Sequence, residues 1–444
     1  MSFFNISNSL SSEWKPYEKI VLRFFIVFFA IQILPIDWKF YQQLFAIDWL
    51  HLNFYDLFNL TRYYPSFFGL SALANFAVIF IISVLGTFAW TSFDKKERNN
   101  DTLYYWLRVA LRYRLAIGII AYGLIKLFPL QMPYPSLSNL HTNYGDFYPW
   151  KIYFHTIGIT QGYESFLGAI EVIAGLLLLC RRTVTFGAGL ILGFVGNVFA
   201  ANISYDIGEI AYSFFLLSIA VFLIVYDVPR LYSLLFKGKY TFANKFNPVF
   251  TSEALRKTRL ALKTVTVIFI ILLGFKTYSN YTEAPYKYPA TPGLKGTYGY
   301  YNVREFKLNN QDIPYSNTNP DRWQNVVFEK WATVSIKTAK PIIIDASKAD
   351  EYQVNDKDRN YESAGVAGRR YFSYTIDSNK NAIVLENKNK HHQSEKFVLN
   401  YTQVNDSTIV LKGTNEKNEA IYAVLDKINK KYLLFEGRRK PIKL

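Results

Sequence analysis

Apolar residues in this chain fall into two regimes. Up to about residue 280 they run in long, nearly unbroken stretches; after about residue 294 they alternate with polar residues in short runs. A helix that crosses a bilayer needs about 20 mostly apolar residues. Seven stretches approach that length, at 18–36, 69–92, 106–129, 164–180, 184–202, 208–227 and 258–278. The first follows Lys15 and Lys19, reads LRFFIVFFAIQIL and continues into aromatic residues. No small-residue cleavage site follows it, so it is expected to be a span and not a cleaved leader. The fourth and fifth are separated only by a few residues around Arg181 and Arg182, which predicts a tight helical hairpin.

Two segments between spans, 37–68 and 130–163, are long, rich in Trp, Tyr and Phe, and the second is broken by Pro133, Pro135 and Pro149. Amphipathic aromatics are comfortable at headgroup level, so interfacial helices are expected there, ahead of a lid over a buried site. The period changes after the proline-rich linker YTEAPYKYPATPG (281–293). The runs YFSYTI, AIVLE, KFVLNY, STIVLKG, AIYAVLDK and KYLLFE read as strands. Between them lie turn clusters at Asp377, Ser378 and Asn379, at Asn405 and Asp406, at Asn415 through Asn418, and at Asn429, Lys430 and Lys431. Such a meander hides its edges by closing into a small barrel or stacking as a sandwich. The expected fold class is therefore an α-helical integral membrane bundle of about seven transmembrane helices (1–280), the linker, and an antiparallel all-β barrel or sandwich (294–444).

Charge refines this division. The net charge of +16 would suit nucleic acid, but residues 1–283 hold 24 Lys+Arg against 16 Asp+Glu and residues 284–444 hold 26 against 18. Each part thus carries +8, and neither has a zinc-finger or RNA-binding signature. The expected partner is a lipid bilayer and not nucleic acid. With the N-terminus cytoplasmic, the inner segments collect Lys15, Lys19, Arg23, Lys95, Lys96, Arg98, Arg108, Arg112, Arg114, Arg181, Arg182, Arg230, Lys237, Lys239, Lys245, Arg256, Lys257, Arg259 and Lys263. The outer side keeps Lys39, Arg62, Lys126, Lys151 and Lys276, so the bias is 19 to five. Seven spans then put the β-domain outside, in the periplasm of a bacterial inner-membrane protein. A single cysteine, Cys180, excludes an intrachain disulfide and a CxxC redox pair.

Ionisable groups within a span are costly and are functional candidates. Glu171 lies seven residues into the fourth span, in GAIEVIAG, with Gly168 and Gly175 on its helical face, where a neighbouring helix can approach closely. Lys126 lies near the outer end of the third, with Gly118 and Tyr122 on its face at four-residue spacing. The two could pair in a polar pocket; otherwise Lys126 snorkels and Glu171 hydrogen-bonds between helices. Asn197, Asn202, Asp206 and Glu209 are candidates for an outer polar mouth, or for ordinary helix-end solvation, and Gly189, Gly193 and Gly196 for close helix packing. None of His51, His141, His155, His391 and His392 has metal-ligand spacing beyond the adjacent His391 and His392, so no metal is expected. No Walker A loop, nucleophile elbow or zincin motif occurs.

Three segments together resemble the DoxX family over residues 110–236. They are ALRYRLAIGIIAYGLIKLF, FLGAIEVIAGLLLLCRRTVTFGAGLILGFVGNVFAANI and YSFFLLSIAVFLIVYDVPRLYSLL. The G-x-x-K ending at Lys126 and the E-x-x-x-G starting at Glu171, before a short basic turn, carry the likeness. The resemblance implies a four-helix membrane module; some DoxX relatives are membrane subunits of thiosulfate:quinone oxidoreductase, and others are associated with redox stress. The membrane module of vitamin K-dependent carboxylases, with its lumenal β-rich part, is a more distant likeness, and GLKGTYGYYNVREF with the later meander resembles the lipocalins. The resulting expectation is a redox-associated subunit that holds a quinone or similar lipophile in a pocket shaped by Glu171, Lys126, Tyr122 and Asn197. Glu171 would handle protons, and a redox partner protein would supply the electron carrier. The alternatives are a membrane-anchored binding or assembly protein acting through its β-domain, and a transporter, for which an internal repeat would be the signature.

Overall fold

The computed structural model describes residues 14–67, 69–94, 99–242, 252–283, 287–345, 353, 355–377 and 381–437. Lys95, Lys96, Arg98 and Lys245 of the inner basic set, residues 284–286 of the linker, and Ser378 and Asn379 of the first turn cluster lie outside the described residues. The chain forms two compact units, Met1–Phe128 with Ser165–Asn280, and Pro129–Glu164 with Tyr281–Leu444.

In chain order the helices are α1 (Pro16–Ile33), α2 (Trp38–Ala46), α3 (Phe54–Thr61), α4 (Ala72–Phe93), α5 (Asn100–Leu127), α6 (Leu137–Leu140), α7 (Pro149–Gly158), α8 (Gln161–Leu179), α9 (Val184–Ser204), α10 (Ile210–Val225), α11 (Val228–Leu235), α12 (Glu253–Glu283) and α13 (Leu433–Glu436). Among the described residues five helical stretches are long and apolar enough to cross a membrane: Pro16–Ala46, Leu73–Phe93, Gln161–Leu179, Val184–Ser204 and Glu253–Glu283. Helices α10 and α11, bent by 64° at their junction, make a sixth if they count as one. The difference from seven is α5. At 28 residues it is long enough, but Arg108, Arg112, Arg114 and Lys126 are spread through it.

The first unit is a bundle centred on α5 and α10. Leu111, Leu115 and Ile119 recur every four residues on α5, and with Phe215, Ile219 and Leu223 of α10 they build one buried stripe. Phe29 of α1, Leu178 of α8 and Ile191 of α9 complete this core. The glycines expected to seat a neighbour on α9 do not all do so. A Cβ at Gly193 or Gly196 would meet open space, and one at Gly189 only Ile224 Cδ1 at 3.9 Å. The close approach comes through Gly187 instead, where a Cβ would lie 2.9 Å from the Ala174 carbonyl oxygen.

The second unit is a closed barrel. Its strands are β1 (Gly299–Leu308), β2 (Gln311–Asp312), β3 (Asn325–Phe328), β4 (Thr333–Lys337), β5 (Arg370–Asp377), β6 (Ala382–Asn387), β7 (Lys396–Gln403), β8 (Thr408–Asn415) and β9 (Ala420–Lys427). From β3 to β9 each pairs antiparallel with the next, β1 pairs with β3, and β9 returns to β1, closing eight strands; β2 is a short hairpin at the end of β1. A bulge between Val303 and Glu305 shifts the β1–β9 register, so inward residues jump from Val303 to Phe306. Phe306, Trp323, Phe328, Phe372, Leu399 and Leu425 fill the interior, as an eight-stranded barrel requires.

Five predicted strands appear as β5 to β9, but KYLLFE does not pair: Leu433–Glu436 is the short helix α13. Once β9 has paired with β1 the barrel offers it no edge. Strands β3 and β4 escaped the sequence pattern because Val326 to Phe328 and Thr333 to Ile336 are buried on both faces, which erases the alternation.

The cover on that outer face is the segment 130–163, expected as interfacial helices. The Glu329 carboxylate accepts from the Leu137 and Ser138 amides at 3.3 and 2.7 Å, at the start of α6. Ser335 Oγ donates to Ser138 Oγ at 2.8 Å, and Asn139 Nδ2 to the Glu362 carbonyl at 2.9 Å. Further along, the Tyr148 amide donates to the Gly365 carbonyl at 2.9 Å and the Ala367 amide to that of Asp146 at 2.8 Å. Lys151, fully buried, donates to the Tyr361 carbonyl and lies 3.3 Å from that ring's centre. His141 stacks on Tyr300 with centroids 3.7 Å apart, and its Nε2 is 2.6 Å from the Tyr432 hydroxyl. Burial, aided by the charges of Arg369 and Lys430, lowers its pKa to about 4, so this imidazole is neutral near pH 7.

Candidate functional site

Arg114, Gly118, Tyr122 and Lys126 follow one another at four-residue spacing and share a face of α5. Lys126 Nζ donates to Glu171 Oε1 at 2.5 Å, with only 7% and 6% of the two side chains exposed. Of the two arrangements open from the sequence, pairing or a snorkelling Lys126, the pair is the one present, and glycine makes it so. A Cβ at Gly168 would collide with the Leu127 backbone nitrogen and lie 2.5 Å from the Gly123 carbonyl oxygen. One at Gly175 would lie 2.5 Å from Ile120 Cγ1, and one at Gly123 2.8 Å from the Val172 nitrogen. Helices α5 and α8 thus touch backbone to backbone, as small residues permit, and the two charges meet in a seam with little access to water.

One turn earlier, the Tyr122 ring stacks on Tyr212 of α10 at 5.5 Å and meets Phe58 of α3 at 5.3 Å. The Tyr212 hydroxyl donates to the Thr61 carbonyl at 3.0 Å. Arg114 Nη2 donates to the Tyr63 carbonyl at 2.6 Å, and Gly118 leaves room for the Tyr212 hydroxyl, which would lie 2.6 Å from any Cβ there. Together they satisfy the Thr61 carbonyl that the end of α3 leaves open and the Tyr63 carbonyl just beyond the helix. Arg62 then pairs with Glu209 at 2.7 Å. Helix α3 buries Phe54, Leu57, Phe58 and Thr61 and covers the polar face of α5, whereas α2 buries no residue. Of the expected interfacial segment 37–68, α2 has the exposed character and α3 has that of a cover. Arg114 also leaves the inner charge count, because halfway along α5 it bonds to Tyr63 of a segment counted as outer.

The remaining candidates separate. Asn197 is exposed on α9, and Asp206 is exposed with a positive φ of 52°. Asn202 is buried; its Nδ2 donates to Ser213 Oγ at 3.1 Å and lies 3.4 Å from the Glu209 carbonyl oxygen, which is helix-end bonding. His392 Nε2 accepts from the Ile343 amide at 3.1 Å. Among the described residues no three His, Cys, Asp or Glu side chains gather as metal ligands would.

The sequence reading missed a cleft in the bundle. It has a volume of about 960 Å³ and is lined by Phe25, Phe28 and Phe29 of α1, Tyr104 of α5, Phe199 of α9, and Phe214 and Phe222 of α10. Trp14, Tyr17 and Glu18 stand at one end and Ser218 on its wall, and Trp14 Nε1 donates to Asp101 at 3.0 Å. None of Glu171, Lys126, Tyr122 and Asn197 lines it. The signal available was the crowding of Phe24, Phe25, Phe28 and Phe29 on α1, which pure hydropathy reads only as span. Compared with models of known families, with curated proteins and with solved structures, the chain matches none.

Proposed function

We propose that this chain is a DoxX-like membrane protein whose bundle holds a quinone or similar lipophile between α1 and α10, as a redox-associated subunit with a partner that carries electrons. The observation that carries this reading is the aromatic cleft of about 960 Å³. An apolar slot of that size takes a ring and part of a prenyl tail, and the polar groups of Tyr17 and Glu18 at one end offer hydrogen bonds to a head group. In this reading Lys126 and Glu171, which carry the family likeness, hold α5 and α8 together beside the site. Lipid-extract mass spectrometry tests it on the wild type, Val221→Trp, which fills the cleft, and Glu171→Gln. A quinone is expected with the wild type and with Glu171→Gln, and lost from Val221→Trp. No quinone in the wild type would refute the reading; loss from Glu171→Gln with retention in Val221→Trp would move the site to the α5–α8 seam.

The proposed topology puts the N-terminus in the cytoplasm and the barrel in the periplasm, across a bacterial inner membrane. Residues 129–164 share a unit with the barrel, so the chain between them must cross an even number of times. Helices α8, α9 and α12 make three crossings, and the bent pair α10–α11 supplies the fourth. With α1, α4 and α5 before them the total is seven. In a Cys180→Ser background, Tyr144→Cys and Asn405→Cys are expected to react alike with a membrane-impermeant maleimide added to whole spheroplasts. Labelling of one without the other contradicts this path.

A further inference from the structure

The barrel unit has a second cleft, of about 720 Å³, whose chemistry differs from that of the bundle. Phenylalanine dominates the bundle cleft, whereas here the rings are mainly Tyr134, Tyr163, Tyr288, Tyr298, Tyr432 and Trp331, and among the described residues Phe435 is the only phenylalanine on its wall. Tyrosine and tryptophan offer an apolar face and a polar edge. Several are already held in place. Tyr288 stacks on Trp331 with centroids 4.4 Å apart and donates its hydroxyl to the Tyr134 carbonyl at 2.7 Å, and Tyr432 is bonded to His141. Tyr298 stays 42% exposed, with Lys330 Nζ 5.4 Å from its ring centre. The Trp331 indole N–H is buried without an acceptor among the described residues. Buried donors are nearly always matched, so this one calls for an explanation.

We infer that this cleft binds a neutral saccharide. A pyranose presents C–H faces that lie flat on aromatic rings and a rim of hydroxyls that both donate and accept. The tyrosine rings suit the faces, and Thr160, Gln161 and Lys330 line the wall with polar groups for the rim. A pure lipophile would cover those polar groups without bonding to them, at a cost. Among the described residues an acidic ligand would find a single cation on the wall, Lys330, and the neighbouring Glu329 carboxylate is already taken by two amides. Its volume falls within the roughly 300–1,000 Å³ usual for small-molecule sites. The inference stands on the barrel unit alone and does not depend on the quinone reading.

The test is isothermal titration of the full chain, in a detergent without a sugar head group, against glucan and N-acetylglucosamine oligosaccharides. At least one series is expected to bind. Tyr298→Ala, a change at an exposed ring, is expected to weaken it roughly tenfold, the usual scale for removing a stacking anchor. Trp331→Phe keeps the ring and loses the N–H, and is expected to weaken binding less while leaving the melting temperature in place. Failure of every oligosaccharide to bind overturns the inference. So does binding that neither variant alters, or a site that takes an alkyl-chain probe in place of sugar.

Discussion

Glu171→Gln is expected to cost the helical bundle about 3–5 kcal/mol, because it strands the Lys126 ammonium in a seam that water scarcely reaches. Lys126→Met alone is expected to cost as much for the opposite reason, a carboxylate left without its cation. The informative variant is the double change. Two charges taken out of water lose much of their hydration, and their attraction roughly repays it, so replacing both with apolar residues of similar size is often neutral or stabilising. Lys126→Met with Glu171→Leu should therefore melt near the wild type, and detergent melting curves of the four proteins decide it. A double variant as weak as the singles would mean that the pair is more than helix glue. In that case the quinone measurement on Glu171→Gln becomes the decisive one.

The second large effect is expected in the barrel unit. Glu362 and Lys388 pair at 2.8 Å with both side chains almost wholly buried. Thr333 Oγ1 also donates to Glu362 Oε1 at 3.0 Å, and Lys388 Nζ to the Arg359 carbonyl at 2.6 Å. Glu362→Gln keeps the size of the side chain but removes the countercharge, and a loss of about 3–5 kcal/mol is expected again. The site lies where the 130–163 segment grips the barrel, since Asn139 bonds to the Glu362 carbonyl. Limited proteolysis of this variant should therefore release the segment near Tyr144 before the barrel strands are cut. A variant that melts like the wild type would show that solvent reaches Lys388 after all.

Much of this protein was legible along the chain. Length and period are local properties, so the apolar stretches, the change after the linker and strands β5 to β9 could be read from residues near one another. The Lys126–Glu171 pair was legible for a related reason: each charge was conspicuous in its span, and glycines marked the face on which a helix could approach. Where a residue's meaning depended on a distant partner, local reading failed. Asn197 and Asn202 sit five residues apart with the same side chain, yet only Asn202 turns toward α10. Gly187 seats a neighbour and Gly193 does not, because only Gly187 lies on the face of α9 that packs on α8.

The sequence by itself therefore determined which segments are greasy helices, where the β-domain lies and which charges were out of place, since period, length and hydropathy act over a few neighbouring residues. Only the tertiary structure decided that the meander closes, that 130–163 covers β3 and β4, that α3 folds over α5, and where the two clefts lie. Each of these depends on surfaces brought together from segments far apart in the chain, and packing between them obeys shape and unmet hydrogen bonds that no local pattern records.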